Sequence, residues 1–116
     1  MPRVIGTIAF GADLRPFAGA VVHVRLEEVS RTDAPALVVA ETVLSEVRAG
    51  GQAPGRMEFA VDAPALDSLA RYVVRVHVDV DADGQVSVGD YVSTMSHPVA
   101  VGSGTITLSI PVKRVS

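Results

Sequence analysis

Residues 71–80 read RYVVRVHVDV. Tyr72, Val74, Val76, Val78 and Val80 hold the even positions, while Arg71, Arg75, His77 and Asp79 fall between them. Side chains on a strand point alternately to opposite faces, so this period of two predicts a β-strand with one face in a core and the other in water. Valine suits that assignment, because branching at Cβ packs well on a pleated surface and costs rotamer freedom in a helix.

The same pattern recurs on both sides. Residues 3–10, RVIGTIAF, put Val4, Ile8 and Phe10 on one face. Residues 20–29, AVVHVRLEEV, put Val22, Val24 and Leu26 on one face and His23, Arg25 and Glu27 on the other. Residues 37–48, LVVAETVLSEVR, have fair helix propensity, but their β-branched content and strand-forming neighbours predict a long strand. Met57, Phe59 and Val61 alternate inward along 56–62, and Ile106, Leu108, Ile110 and Val112 do so along 105–112. TDAPA at 32–36 and AGGQAPG at 49–55 read as turn and loop. Pro64 suits a first helical position and predicts a short helical turn within 63–70. A further strand is expected over 85–94, and HPVAVGSG at 97–104 reads as a connection with a short edge strand. Seven or eight strands with regular turn signals predict an all-β fold: one domain over residues 1–116, an antiparallel β-sandwich of Greek-key type, immunoglobulin-like or transthyretin-like.

Composition narrows function by exclusion. The chain has 116 residues, a formal net charge of −3 and no cysteine. Nine of its ten basic residues are arginines, scattered along the chain with no basic patch, which argues against nucleic acid as a partner. Without cysteine there is no disulfide, no thiolate metal site, no cysteine nucleophile and no lipidated cysteine within these residues. No apolar run is long enough to span a membrane as a helix. MPRVIGTIAFG alternates like a strand and lacks a signal-peptide core, so a cytoplasmic location is expected for the chain as written. A periplasmic or envelope location is expected if it is the mature part of an exported precursor.

The opening strand runs into the acidic stretch DVDADGQVSVGD at 79–90, which holds four of the chain's eight aspartates. The twelve-residue EF-hand loop places oxygen ligands at positions 1, 3, 5, 7, 9 and 12, with glycine at 6. Those positions are filled here by Asp79, Asp81, Asp83, Gln85 through its carbonyl, Ser87 and Asp90, with Gly84 at the sixth. Ca²⁺ is a hard cation that takes several oxygens, and alternate carboxylates around one point supply them. Strands rather than helices flank this loop. Residues three apart on a strand face opposite ways, so Asp90 rejoins the site only if the chain bends, and Gly89 would permit that bend. The competing reading is a polar hairpin tip built on Asp83-Gly84, which leaves Asp79, Asp81, Ser87 and Asp90 unexplained.

Other candidates are weaker. His23 and His77 become neighbours if their strands pair, close to Arg25 and Arg75, but no third ligand or nucleophile accompanies them; two solvent-facing strand histidines are expected. His97 beside Ser96 is no catalytic pair, since triad members converge from distant segments. Glu27 and Glu28 face opposite sides and cannot act together. No catalytic residues are assigned.

Three stretches carry a family resemblance: GAVVHVRLEEVSRTDAPALVVAE at 19–41, ARYVVRVHVDVDADGQVSVGDYVSTMSHPV at 70–99 and the closing strand. They resemble the YbaY-type lipoproteins, which are related to the YscW-type pilotins of type III secretion. VRLEEVSRTDAPA at 24–36 is the most specific part. The resemblance implies a small β-sandwich on a periplasmic lipid anchor and, for pilotins, help in placing a secretin in the outer membrane. It implies no active-site residues. The expectation is a non-catalytic binding or assembly module that takes a protein partner, by strand addition or as a secretin-like component. The alternative is a small glycan- or ligand-binding module of the cell envelope, and an enzyme ranks third.

Overall fold

A computed structural model describes residues 3–30, 35–49, 55–67, 69–93, 97–99 and 105–116. They form eight strands and, among the described residues, no helix. The strands are β1 (Arg3–Phe10), β2 (Phe17–Glu28), β3 (Leu37–Ala49), β4 (Arg56–Asp62), β5 (Tyr72–Asp79), β6 (Tyr91–Ser93), β7 (His97–Val99) and β8 (Thr105–Arg114).

The stretch that opens with Arg71 behaves as its alternation requires. Tyr72, Val74, Val76 and Val78 are buried and Arg75 is exposed. β5 lies antiparallel to β2 in the register Val22↔Val78, Val24↔Val76 and Leu26↔Val74. The inward residues of both strands therefore stack in the core with Val4, Ile8, Phe59, Val61, Ile110 and Val112. Each fully buried side chain of this size is worth roughly 1.5–3 kcal/mol over leaving it exposed. β3 is a strand of thirteen residues, as its β-branched content predicts, paired to β2 with irregularities near both ends.

The all-β expectation holds, but the layout differs from two antiparallel sheets. The strands follow one continuous order, β3-β2-β5-β6-β8-β1-β4, with β7 added beside β5. β1 and β8 pair in parallel, Val4↔Ile106 through Phe10↔Val112. The sheet curls until its end strands approach each other, and Thr42 Oγ1 on β3 donates to the Ala60 carbonyl on β4 at 2.7 Å. The result is a nearly closed, barrel-like sheet. Gly6 is part of how it curls. A Cβ there would lie 2.4 Å from the Leu108 carbonyl oxygen and 2.8 Å from the Phe59 ring, so only glycine lets that ring lie against β1.

Three local expectations are corrected. The described part of 63–70 is not helical: Ala63 is fully buried, the Asp67 carboxylate accepts from the Leu69 amide, and the Asp67 amide donates to the Tyr72 hydroxyl. These contacts hold the segment as a connection ending in a turn, which outweighs the local helix signal of Pro64. The strand expected over 85–94 is limited to Tyr91–Ser93 in the described residues, because the stretch before it folds into a loop. Asp79 was expected to face water and is 1% exposed. Of the expected turn at 32–36, residues 32–34 lie outside the described residues, as do 50–54 of the expected loop at 49–55 and 100–104 of the last connection.

Candidate functional site

The loop after β5 is organised by two buried aspartates. Asp79 ends the strand, and its carboxylate accepts from the Gly84 amide at 2.8 Å and the Asp83 amide at 3.3 Å. Asp83 in turn accepts from the Gln85 amide at 2.9 Å, the local side-chain turn that aspartate favours. Ala82 and Gly84 both have positive φ, so the chain turns sharply around Asp79.

Asp90 closes the loop from the other side. Gly89, at φ 98°, turns the chain so that the Asp90 carboxylate points back toward β5. That carboxylate accepts from the Val80 amide at 3.0 Å and the Ser87 amide at 3.2 Å, and meets His77 Nε2 at 2.8 Å. The end of β8 pins the bend: the Gly89 amide donates to the Val115 carbonyl, and the Val115 amide to that of Asp90. The tight hairpin tip is therefore not what forms, since among the described residues β5 and β6 pair only at His77↔Val92 and Val78↔Tyr91.

Four predicted ligands converge. Carboxylate oxygens of Asp79, Asp81, Asp83 and Asp90 lie within 4.8 Å of one another. Ser87 joins them through its hydroxyl, 3.4 Å from Asp81, whereas Gln85 is exposed with its amide bound to Asp83. Burial works to raise the Asp79 carboxyl, but hydrogen bonds from Gly84, Asp81 and Asp83 outweigh it and hold the group below its ordinary value. Asp81 is raised, chiefly because it shares a hydrogen bond with the Asp79 carboxyl. Main-chain amides thus already counter much of the negative charge that the bare sequence leaves crowded.

His77 was not among the expected ligands, yet its ring touches Asp90 and groups with Asp79 and Asp90. The period of two held that signal, since His77 and Asp79 share a strand face. His77 also stacks on His23, its cross-strand partner, with ring centroids 5.8 Å apart and planes 19° apart. The pair is largely covered rather than solvent-facing, with side chains 15% and 20% exposed. Beside it Arg25 pairs with Glu41 and Arg75 with Glu27, each at 2.6 Å, so the two facing arginines are neutralised. The Arg25 hydrogen bond is the main reason the Glu41 carboxyl lies below its usual value. His97 begins β7, and Ser96 lies outside the described residues.

All five aromatic rings turn inward. Phe59, Tyr72 and Tyr91 are buried, and Phe10 and Phe17 pack half-buried against Tyr91. None offers the exposed platform on which a glycan would stack. Among the described residues the large uncovered apolar groups lie elsewhere: Leu37, Val38 and Val43 on β3, Leu69, and Val86 and Val88 on the acidic loop. β3 and β4, the ends of the sheet order, flank a recess of about 670 Å³ that reaches Gly6, Leu44 and Phe59.

Comparison with known proteins places this architecture. No curated protein sequence matches the chain. Among solved structures, an alternative pilotin from the type II secretion system of Vibrio cholerae is similar, at 23% identity and a TM-score of 0.76. The match covers 98% of this chain and 96% of that one, and at this identity it speaks for the fold. The family model of the type III secretion system lipoprotein chaperone YscW matches residues 1–106. The chain belongs to the YscW family.

Proposed function

We propose that this protein is a non-catalytic assembly chaperone of the cell envelope, which binds a segment of a secretin and helps it reach or assemble in the outer membrane. Membership of a family described as secretion-system lipoprotein chaperones supports the class of function, and it favours the envelope over the cytoplasm. The single structural observation behind a protein partner is β3. This long strand ends the sheet order and exposes Leu37, Val38 and Val43. Edge strands with apolar side chains are suited to protein segments, through main-chain pairing and side-chain contacts together. Deleting the gene should remove assembled secretin from the outer-membrane fraction, and restoring the chain in exported form should return it. Unchanged assembly in the deletion strain would sink the proposal.

A second reading concerns the acidic loop. We propose that Asp79, Asp81, Asp83 and Asp90 bind Ca²⁺, with Gln85 and Ser87 at the remaining template positions. The supporting observation is that Gly89 returns Asp90 to the other three carboxylates. A ligand at ten times its Kd stabilises a protein by about 1.4 kcal/mol. Melting should therefore shift upward by several degrees with millimolar Ca²⁺ relative to chelator, and Asp81→Asn should reduce the shift. Identical melting in both conditions would refute this reading.

A further inference from the structure

Among the described residues every lysine and arginine is exposed except Arg114, near the end of β8, which is half-buried. Arg3, Arg25 and Arg75 pair with Asp62, Glu41 and Glu27. Arg114 has no such partner among the described residues, and its guanidinium makes no hydrogen bond to them. Its amide alone is engaged, donating to the Asp13 carboxylate at 2.9 Å. A guanidinium that gives up part of its water without gaining an acceptor carries an uncompensated cost. The carboxylates of the adjoining segments are committed elsewhere. Asp13 is held by that amide, and Asp90 turns toward β5, where it accepts from Val80 and Ser87 and meets His77.

Arg114 borders a recess of about 360 Å³ between the end of β8 and the turn that follows β1, and Arg15 lines the same recess. Arg15 also forms no ion pair among the described residues. The main chain around both is fixed. The Leu14 amide donates to the Gly11 carbonyl at 3.1 Å, the Arg15 amide to the hydroxyl of buried Tyr91 at 2.8 Å, and the Val115 amide to the Asp90 carbonyl at 2.7 Å. Two free guanidinium groups therefore stand on one preformed recess, against a single acidic side chain, Asp13.

We propose that this recess binds a phosphate group through Arg15 and Arg114. A guanidinium presents its N–H donors in a planar fork that matches phosphate oxygens. A tetrahedral oxyanion directs oxygens toward both arginines, whereas a planar carboxylate offers one edge. The bound anion supplies the acceptors that Arg114 lacks. The recess is within the size range of small-molecule sites, so the phosphate is either the free anion or the head group of an anionic lipid, recognised by the same chemistry. The site uses neither end strand of the sheet and none of the four clustered aspartates, so it stands apart from the secretin and Ca²⁺ readings.

Titration with inorganic phosphate in chelator, at constant ionic strength, tests this directly, with NMR of the arginine Nε–Hε groups as the readout. The signals of Arg15 and Arg114 should shift and saturate at millimolar phosphate, while that of Arg48, exposed on β3, stays in place. Acetate should bind roughly ten-fold more weakly, and Arg15→Gln and Arg114→Gln should each weaken phosphate binding by roughly ten-fold or more. Without phosphate, Arg114→Gln should melt no lower than wild type, because it removes a charge that has no partner. Phosphate should then raise the melting temperature of wild type more than that of Arg114→Gln. An equal rise in both is the general effect of an excluded salt and overturns the inference, as do Nε signals that never saturate or acetate binding as tight as phosphate binding. A variant that melts well below wild type without phosphate would assign the guanidinium to the fold and overturn it too. If Arg114→Gln does not fold, Arg15→Gln and the wild-type titration decide. Dihexanoyl phosphatidylglycerol, kept below its micelle concentration, separates the two sources. Tighter binding than inorganic phosphate identifies a lipid head group, and weaker binding identifies the free anion.

Discussion

At the scale of single residues, the heaviest duties fall on groups that a solvent-facing strand position would not suggest. Asp90 is 1% exposed, and its carboxylate holds the Val80 and Ser87 amides and the His77 ring. Asp90→Ala leaves those donors without an acceptor and should cost about 3 kcal/mol, measured by urea denaturation. Gly6→Ala drives a methyl group into the Leu108 carbonyl and the Phe59 ring, and overpacking of this kind costs about 1–3 kcal/mol or more. Glu41 marks the opposite case. Its lowered pKa means that the Arg25 pair stabilises the fold above the ordinary carboxylate range and that this contribution is lost as pH falls through the folded-state value. The pair is partly exposed, so Glu41→Gln should cost under about 1 kcal/mol at neutral pH, with the difference from wild type vanishing in acid. The template of Asp79, Asp81, Asp83 and Asp90 was visible in the sequence, and so was the need for a bend at Gly89. The burial of Asp79 was not, because it depends on a loop folding back over the strand end.

At the scale of elements, the strands were legible because each announces itself by its own alternation. β1, β2, β4, β5 and β8 carry the apolar period in their side chains, and β3 carries enough β-branching to outweigh its helix formers. Segment 63–70 misled because Pro64 is a local signal. The contacts that decide it, from Asp67 to Tyr72 and of Ala63 in the core, are set by where β4 ends and β5 begins. β6 was overestimated for a related reason, since Val86 and Val88 read as strand residues but stand 59% and 72% exposed on the loop. β3 carries the prediction of this scale. Leu37→Lys together with Val38→Lys replaces exposed groups and should leave stability within about 0.5 kcal/mol of wild type while weakening secretin binding. A large loss of stability would mean that these side chains serve the fold and not a partner.

At the scale of the whole molecule, the first and last strands are bound side by side. β8 pairs in parallel with β1 and antiparallel with β6, so the sheet order cannot be completed before β8 is present. Partner choice of this kind is invisible to a period of two, which fixes the face of each strand and says nothing about its neighbour. This is why the all-β class was legible while the parallel pair and the single curled sheet were not. Folding dominated by such distant pairings should take roughly milliseconds to seconds, and stopped-flow refolding can check it. Removing Thr105–Arg114 should abolish cooperative unfolding, seen as loss of a sigmoidal melt. The curl brings the two sheet ends face to face, and the family to which the chain belongs supplies the reason to look for a protein there. Calorimetric titration of the purified chain with soluble fragments that together cover the secretin encoded in the same genome tests that claim most directly. Saturable one-to-one binding by one fragment is expected, at about micromolar affinity or tighter, about −8 kcal/mol. A titration without binding would contradict it.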